Sequence, residues 1–133
     1  MKKTAIFIML ALVIGATSCK TNKLFPRSEK AELEIPVREE RFTFTQEADR
    51  ISQGTNMYFV IMGSFQSEEN ALRFSETLRG FGFTPSILLS ETGFHRVSVN
   101  SYTSEDNARE RVVQVRNEFP AYADTWLLVR KPN

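Results

Sequence analysis

The chain repeats itself. Val60-Ile61-Met62-Gly63-Ser64-Phe65-Gln66-Ser67-Glu68-Glu69-Asn70-Ala71 aligns without a gap on Val97-Ser98-Val99-Asn100-Ser101-Tyr102-Thr103-Ser104-Glu105-Asp106-Asn107-Ala108. Each copy passes from an apolar run into Ser-aromatic-polar-Ser-Glu-acid-Asn-Ala. Such a repeat constrains topology early, because each half must solve one problem: end a strand, turn sharply and launch a helix. Ser67 and Ser104 are residues of the type that caps helix N-termini, and the acids after them favour the positive end of the helix dipole. Ala71 and Ala108 are small, which lets each helix sit close to a sheet.

The remaining elements follow from periodicity. Residues 58–62 are a β-prone apolar run, and Ala71, Phe74, Ser75 and Leu78 share one helix face until Gly80 and Gly82 stop the helix. Residues 84–90 form a second strand, Glu91-Thr92-Gly93 a tight turn, and residues 94–102 a third strand alternating at Val97 and Val99. Ala108, Val112, Val115 and Phe119 make the buried face of a second helix, which Pro120 closes before a last strand at 125–131. The order βαββαβ predicts an α+β fold: a split βαβ, ferredoxin- or RNP-like, with four antiparallel strands. Right-handed crossovers place both helices on one sheet face. The other face is then expected to lie open, and function is expected there.

The N-terminal part reads differently. Lys2 and Lys3 precede an uncharged apolar run over residues 5–15, then small residues, which is the layout of a secretory signal peptide over residues 1–18 and too short to span a bilayer. Cys19 is the only cysteine. The stretch ending there resembles a lipobox, which implies lipidation of Cys19 and a membrane anchor. No aspartate follows Cys19, so the expected location is the cell envelope, as an outer-membrane lipoprotein facing the periplasm. Residues 19–56 read as the lipidated N-terminus and a flexible linker, dense in charge and interrupted by Pro26 and Pro36. Arg41-Phe42-Thr43-Phe44-Thr45 alternates and would make a short strand able to dock on a sheet edge. Residues 57–133 are expected to be the folded domain.

Charge and composition exclude several functions. Removing Lys2 and Lys3 with the leader takes the 17 basic residues to 15 against 16 acidic ones, a net charge of −1. That opposes nucleic-acid binding, which rests on phosphate neutralisation. His95 is the only histidine, with no cysteine neighbour, so neither a metal site nor a catalytic triad is expected, and it reads as structural. No glycine-rich phosphate loop is present, since Gly80-Phe81-Gly82 ends a helix instead of opening one. No cofactor and no enzyme activity are expected.

Residues 58–130 resemble a SPOR domain, the sporulation-related repeat of bacterial envelope and division proteins. The resemblance is carried by Val60-Ile61-Met62-Gly63-Ser64-Phe65, by the Ser-Glu-Glu-Asn-Ala helix start and by Arg96-Val97-Ser98-Val99 with its echo. It implies binding to peptidoglycan glycan strands that lack stem peptides, at the division septum, without catalysis. Many members carry glutamine where this chain has Ile61. Strand parity, with Val60, Met62, Val97 and Val99 toward the helices, sends Phe59, Ile61, Gly63, Phe94, Arg96, Ser98 and Asn100 to the open face. Ser64 resembles a serine of the family's binding patch, and Trp126 faces out if Leu127 and Val129 face in, so the candidate glycan-binding residues are Phe59, Ile61, Ser64, Phe94, Arg96, Ser98, Asn100 and Trp126. Two alternatives stand beside this. Phe42 or Phe44 of the preceding segment would cover Phe59. Or Phe59, Ile61 and Trp126 would form an apolar patch for a division or envelope protein, making the chain an interaction scaffold.

Overall fold

The computed structural model describes residues 34–133; the leader, Cys19 and the first part of the linker lie outside them. The elements are β1 (Val37–Glu40), β2 (Phe42–Phe44), α1 (Glu47–Gln53), β3 (Tyr58–Phe65), α2 (Glu68–Gly80), β4 (Ser86–Ser90), β5 (His95–Tyr102), α3 (Glu105–Glu118), a 3-10 turn (Pro120–Tyr122) and β6 (Trp126–Arg130). Both repeat copies form the strand-to-helix junction in the same way. Ser67 Oγ accepts from the Asn70 amide and Ser104 Oγ from the Asn107 amide, each at 3.4 Å. Gly82 and Gly93 both have positive φ, which suits them to the turn after α2 and to the β4–β5 hairpin.

The expected four antiparallel strands are present in the order β6-β3-β5-β4, with β1 added beyond β6 and β2 beyond β4. The sheet therefore has six strands, not four, and it is mixed, because β1 runs parallel to β6. β1 and β2 lie at opposite ends of this order, yet only Arg41 separates them in the chain. Both ends must therefore meet. The Glu40 carbonyl accepts from the Lys131 amide and the Arg41 carbonyl from the Glu91 amide, each at 2.9 Å, so consecutive residues tie β6 to β4. The sheet closes into a barrel, with β1 and β2 acting as one bent strand. Residues 37–53, expected within the linker, thus form two strands and a helix.

Closure creates two cores from alternate residues of the same strands. Toward α2 and α3 lie Val60, Met62, Val97, Val99 and Leu127, packed with Leu78, Val112 and Val115. Inside the barrel lie Phe59, Ile61, Leu88 and Leu128, with Phe42, Phe44 and Trp126 packed against them. The face expected to be bare is a second core. The edge-on ring contact of Phe42 with Phe59, at a centroid distance of 4.9 Å, replaces the expected contact with sugar.

Two irregularities also reset strand parity. The β3–β5 register slips between Val60 and Ile61, where Val99 is the extra residue, and again between Ile61 and Gly63, where Met62 is. Asn100 pairs with Val60 and Gly63 with Val97, which turns both toward the helices. A Cβ on Gly63 would stand 2.5 Å from the Phe74 ring, so the close approach of α2 requires glycine there.

Candidate functional site

A buried ion pair organises one end of the barrel. Arg96, 4% exposed, donates through Nη2 to Glu40 Oε1 at 2.7 Å and through Nε to Glu40 Oε2 at 3.2 Å. Ser90 Oγ also donates to Glu40 Oε2, at 2.7 Å. This bidentate geometry satisfies a carboxylate that burial would otherwise penalise strongly. It also fixes the Arg96 guanidinium over two rings, 4.8 Å from the Phe94 centroid and 5.2 Å from that of Trp126.

Outside this pair the barrel end opens into a pocket of about 280 Å³, lined by Pro36, Arg38, Ser64, Arg96 and Trp126. Arg38 lies against the Trp126 ring at 5.7 Å, so two guanidinium groups attend one indole. Ser64 Oγ is buried and makes no hydrogen bond. The opposite end of β5 is sealed by α1. Gln53 Nε2 donates to Ser86 Oγ at 2.7 Å, while its Oε1 accepts from Ser101 Oγ at 2.8 Å. A depression of about 260 Å³ along the β2–β4 edge contains none of the expected site residues, and its Arg41 pairs with Glu91.

The eight sequence-expected residues therefore divide. Ser64, Arg96 and Trp126 meet at the pocket, and Phe94 stands against Arg96 beside it. Phe59 and Ile61 are fully buried in the barrel. Ser98 is buried and donates to the Asn100 carbonyl at 3.1 Å. Asn100 accepts from Arg111 Nε on α3 at 2.7 Å, on the helix side. These four cannot meet a ligand on an open sheet face. The apolar patch named in the scaffold alternative does not form, since two of its three residues, Phe59 and Ile61, are enclosed. Sequence reasoning missed Arg38 and Glu40, whose signal was a period of two that begins before Phe42 and continues through Phe44.

A closed α+β module with a cationic, aromatic pocket at one barrel end has the features of a binding module. Among the described residues no group of His, Cys, Asp or Glu could hold a metal ion, and no helix is long and apolar enough to cross a membrane. The family model described as SPOR domain matches residues 54–123, and the chain belongs to that family. SPOR domains are peptidoglycan-binding modules associated with cell division, and they are not enzymes. Neither the curated proteins nor the solved structures yield a match to the chain. The matched residues begin after α1, so the strand that closes the barrel, with Arg38 and Glu40, lies outside them.

Proposed function

We propose that this chain is a lipid-anchored peptidoglycan-binding module that takes glycan strands at the barrel-end pocket. The observation that carries the reading is the part-exposed Trp126 indole beside the unpartnered Ser64 hydroxyl, in a chain of the SPOR family. An indole face suits the apolar face of a sugar ring, while Ser64 and Arg38 supply hydrogen-bonding groups for hydroxyl or acetamide substituents. A pocket of this size accepts part of a bare glycan and excludes one crowded by stem peptides. Glu40 acts indirectly, by holding Arg96 and so the ring it covers.

Cys19 carries the anchor in this reading, in the outer-membrane leaflet facing the periplasm. The residues between Cys19 and Glu34 span at most about 50 Å when extended. That reach sets how far the domain searches the wall from its membrane, and stem-free strands at the division septum are the target.

The test is co-sedimentation of the unlipidated chain from residue 20, which retains the closing strand, with peptidoglycan sacculi. It should pellet with sacculi, and more with sacculi treated with an amidase that removes stem peptides. Trp126→Ala should weaken pelleting by about tenfold, with a parental melting profile as the folding control. Absence of pelleting from both preparations would defeat the reading.

A further inference from the structure

We propose that Arg38 recognises the free lactyl carboxylate of a muramoyl residue, so the pocket selects stem-free glycan by charge as well as by space. This rests on the glycan-binding reading above. The observation behind it is a difference between two arginines on one ring. Arg96 is neutralised by the bidentate Glu40 carboxylate. Arg38 is exposed, and among the described residues no carboxylate pairs with it; its contact is with the Trp126 ring. The other lining residues, Pro36, Ser64 and Trp126, carry no charge. The pocket therefore presents one guanidinium without a carboxylate partner among the described residues, held over the Trp126 ring.

The chemistry of stem removal supplies the matching group. A stem peptide is joined to the lactyl carboxyl through an amide. Hydrolysis consumes one water, breaks that C–N bond, frees the amine of the first amino acid and leaves the lactyl group as a carboxylate. A sugar against the part-exposed Trp126 indole projects its ring substituents toward Arg38, whose guanidinium lies over the same ring. The planar fork of a guanidinium matches a carboxylate with two parallel N–H···O bonds, whereas an amide offers one acceptor and no charge. Arg38 belongs to β1, outside the family-matched residues, so this selectivity comes from the closing strand.

The single tryptophan of the chain allows a direct reading by intrinsic fluorescence. The probes are a tetrasaccharide of alternating N-acetylglucosamine and N-acetylmuramic acid with free lactyl carboxylates, and the same compound with lactyl N-methylamides. The unlipidated chain from residue 20 should bind the acid about tenfold more tightly than the amide. The preference should shrink as salt is raised. Arg38→Gln should abolish the preference, bringing the affinities for acid and amide together. Equal affinity of the parent chain for both probes, or a preference that survives Arg38→Gln, overturns the charge recognition and leaves glycan binding standing. Failure of either probe to bind the parent chain overturns glycan binding itself.

Discussion

The two cores of this barrel share four strands and differ in almost everything else. The core under α2 and α3 is made by residues of the βαββαβ unit together with Ile35; the Ser75 hydroxyl is buried on its α2 side, but neither Glu40 nor Arg96, the buried charges among the described residues, lies there. The barrel interior is completed from outside that unit, by Phe42 and Phe44, and it contains an ion pair and the buried hydroxyls of Ser90 and Ser98. The helix-side core follows from the internal repeat, because each copy brings its own cover. The barrel interior has no cover until β1 and β2 arrive. A repeat can thus specify one face of a sheet and leave the other to a neighbouring segment.

The hardest way to break this comparison is to remove the cover. A chain beginning at residue 54, where the family match starts, would expose Phe59, Ile61, Leu88 and Leu128 and leave Arg96 without its carboxylate. Each of those apolar side chains contributes about 1.5–3 kcal/mol through burial. The truncated chain should therefore bind a hydrophobic dye, lose its sharp melting transition and aggregate. A transition within a few degrees of the parent would mean that the helix-side core suffices alone.

A smaller effect isolates the ion pair. Glu40→Ala strands a buried guanidinium and should cost about 3–5 kcal/mol in urea unfolding. Pairing Glu40→Met with Arg96→Leu should recover most of that loss, because apolar side chains of similar volume often replace a buried pair without penalty. The double variant should nevertheless weaken glycan binding, since the Arg96 guanidinium that holds the Trp126 ring goes with it while Arg38 remains. A loss below about 1 kcal/mol for Glu40→Ala would show that water reaches Arg96 and that the pair does not organise the interior.

Which parts of this were legible before folding follows from the same contrast. The helix-side elements rest on local signals: Ser67 and Ser104 as caps, Ala71 and Ala108 at the close approach, Gly82 and Gly93 at turns. The alternation through Phe42 and Phe44 marked a strand and one possible cover for Phe59. Arg38 and Glu40 continue that alternation, but an inward charge reads as a solvated one until its partner is known, and Arg96 lies 56 residues from Glu40. Charge density therefore made a folded strand look like spacer. The bulges were illegible for a different reason. Val99 and Met62 are ordinary strand residues, and nothing in their side chains announces that one residue will go unpaired. That slip turns Asn100 from the expected ligand face to Arg111 on α3.

The smallest predicted effect sharpens the role of burial. Glu47 and Arg50, on α1, also form a bidentate pair, with Arg50 Nε donating to Glu47 Oε2 at 2.8 Å, but both side chains are more than 60% exposed. The hydrogen bond from Arg50 holds the Glu47 carboxyl below its ordinary value. A depressed carboxyl contributes stability that is present above its unfolded pKa and fades as pH falls through its folded one. Solvent screens an exposed pair, so that contribution is small and weakens further with salt. Glu47→Gln should therefore leave the urea midpoint at pH 7 unchanged within error, in low salt and in high. If it instead lowered the midpoint as far as Glu40→Ala, burial would not be what separates the two pairs, and α1 would be holding the barrel shut through its charges and not through Gln53.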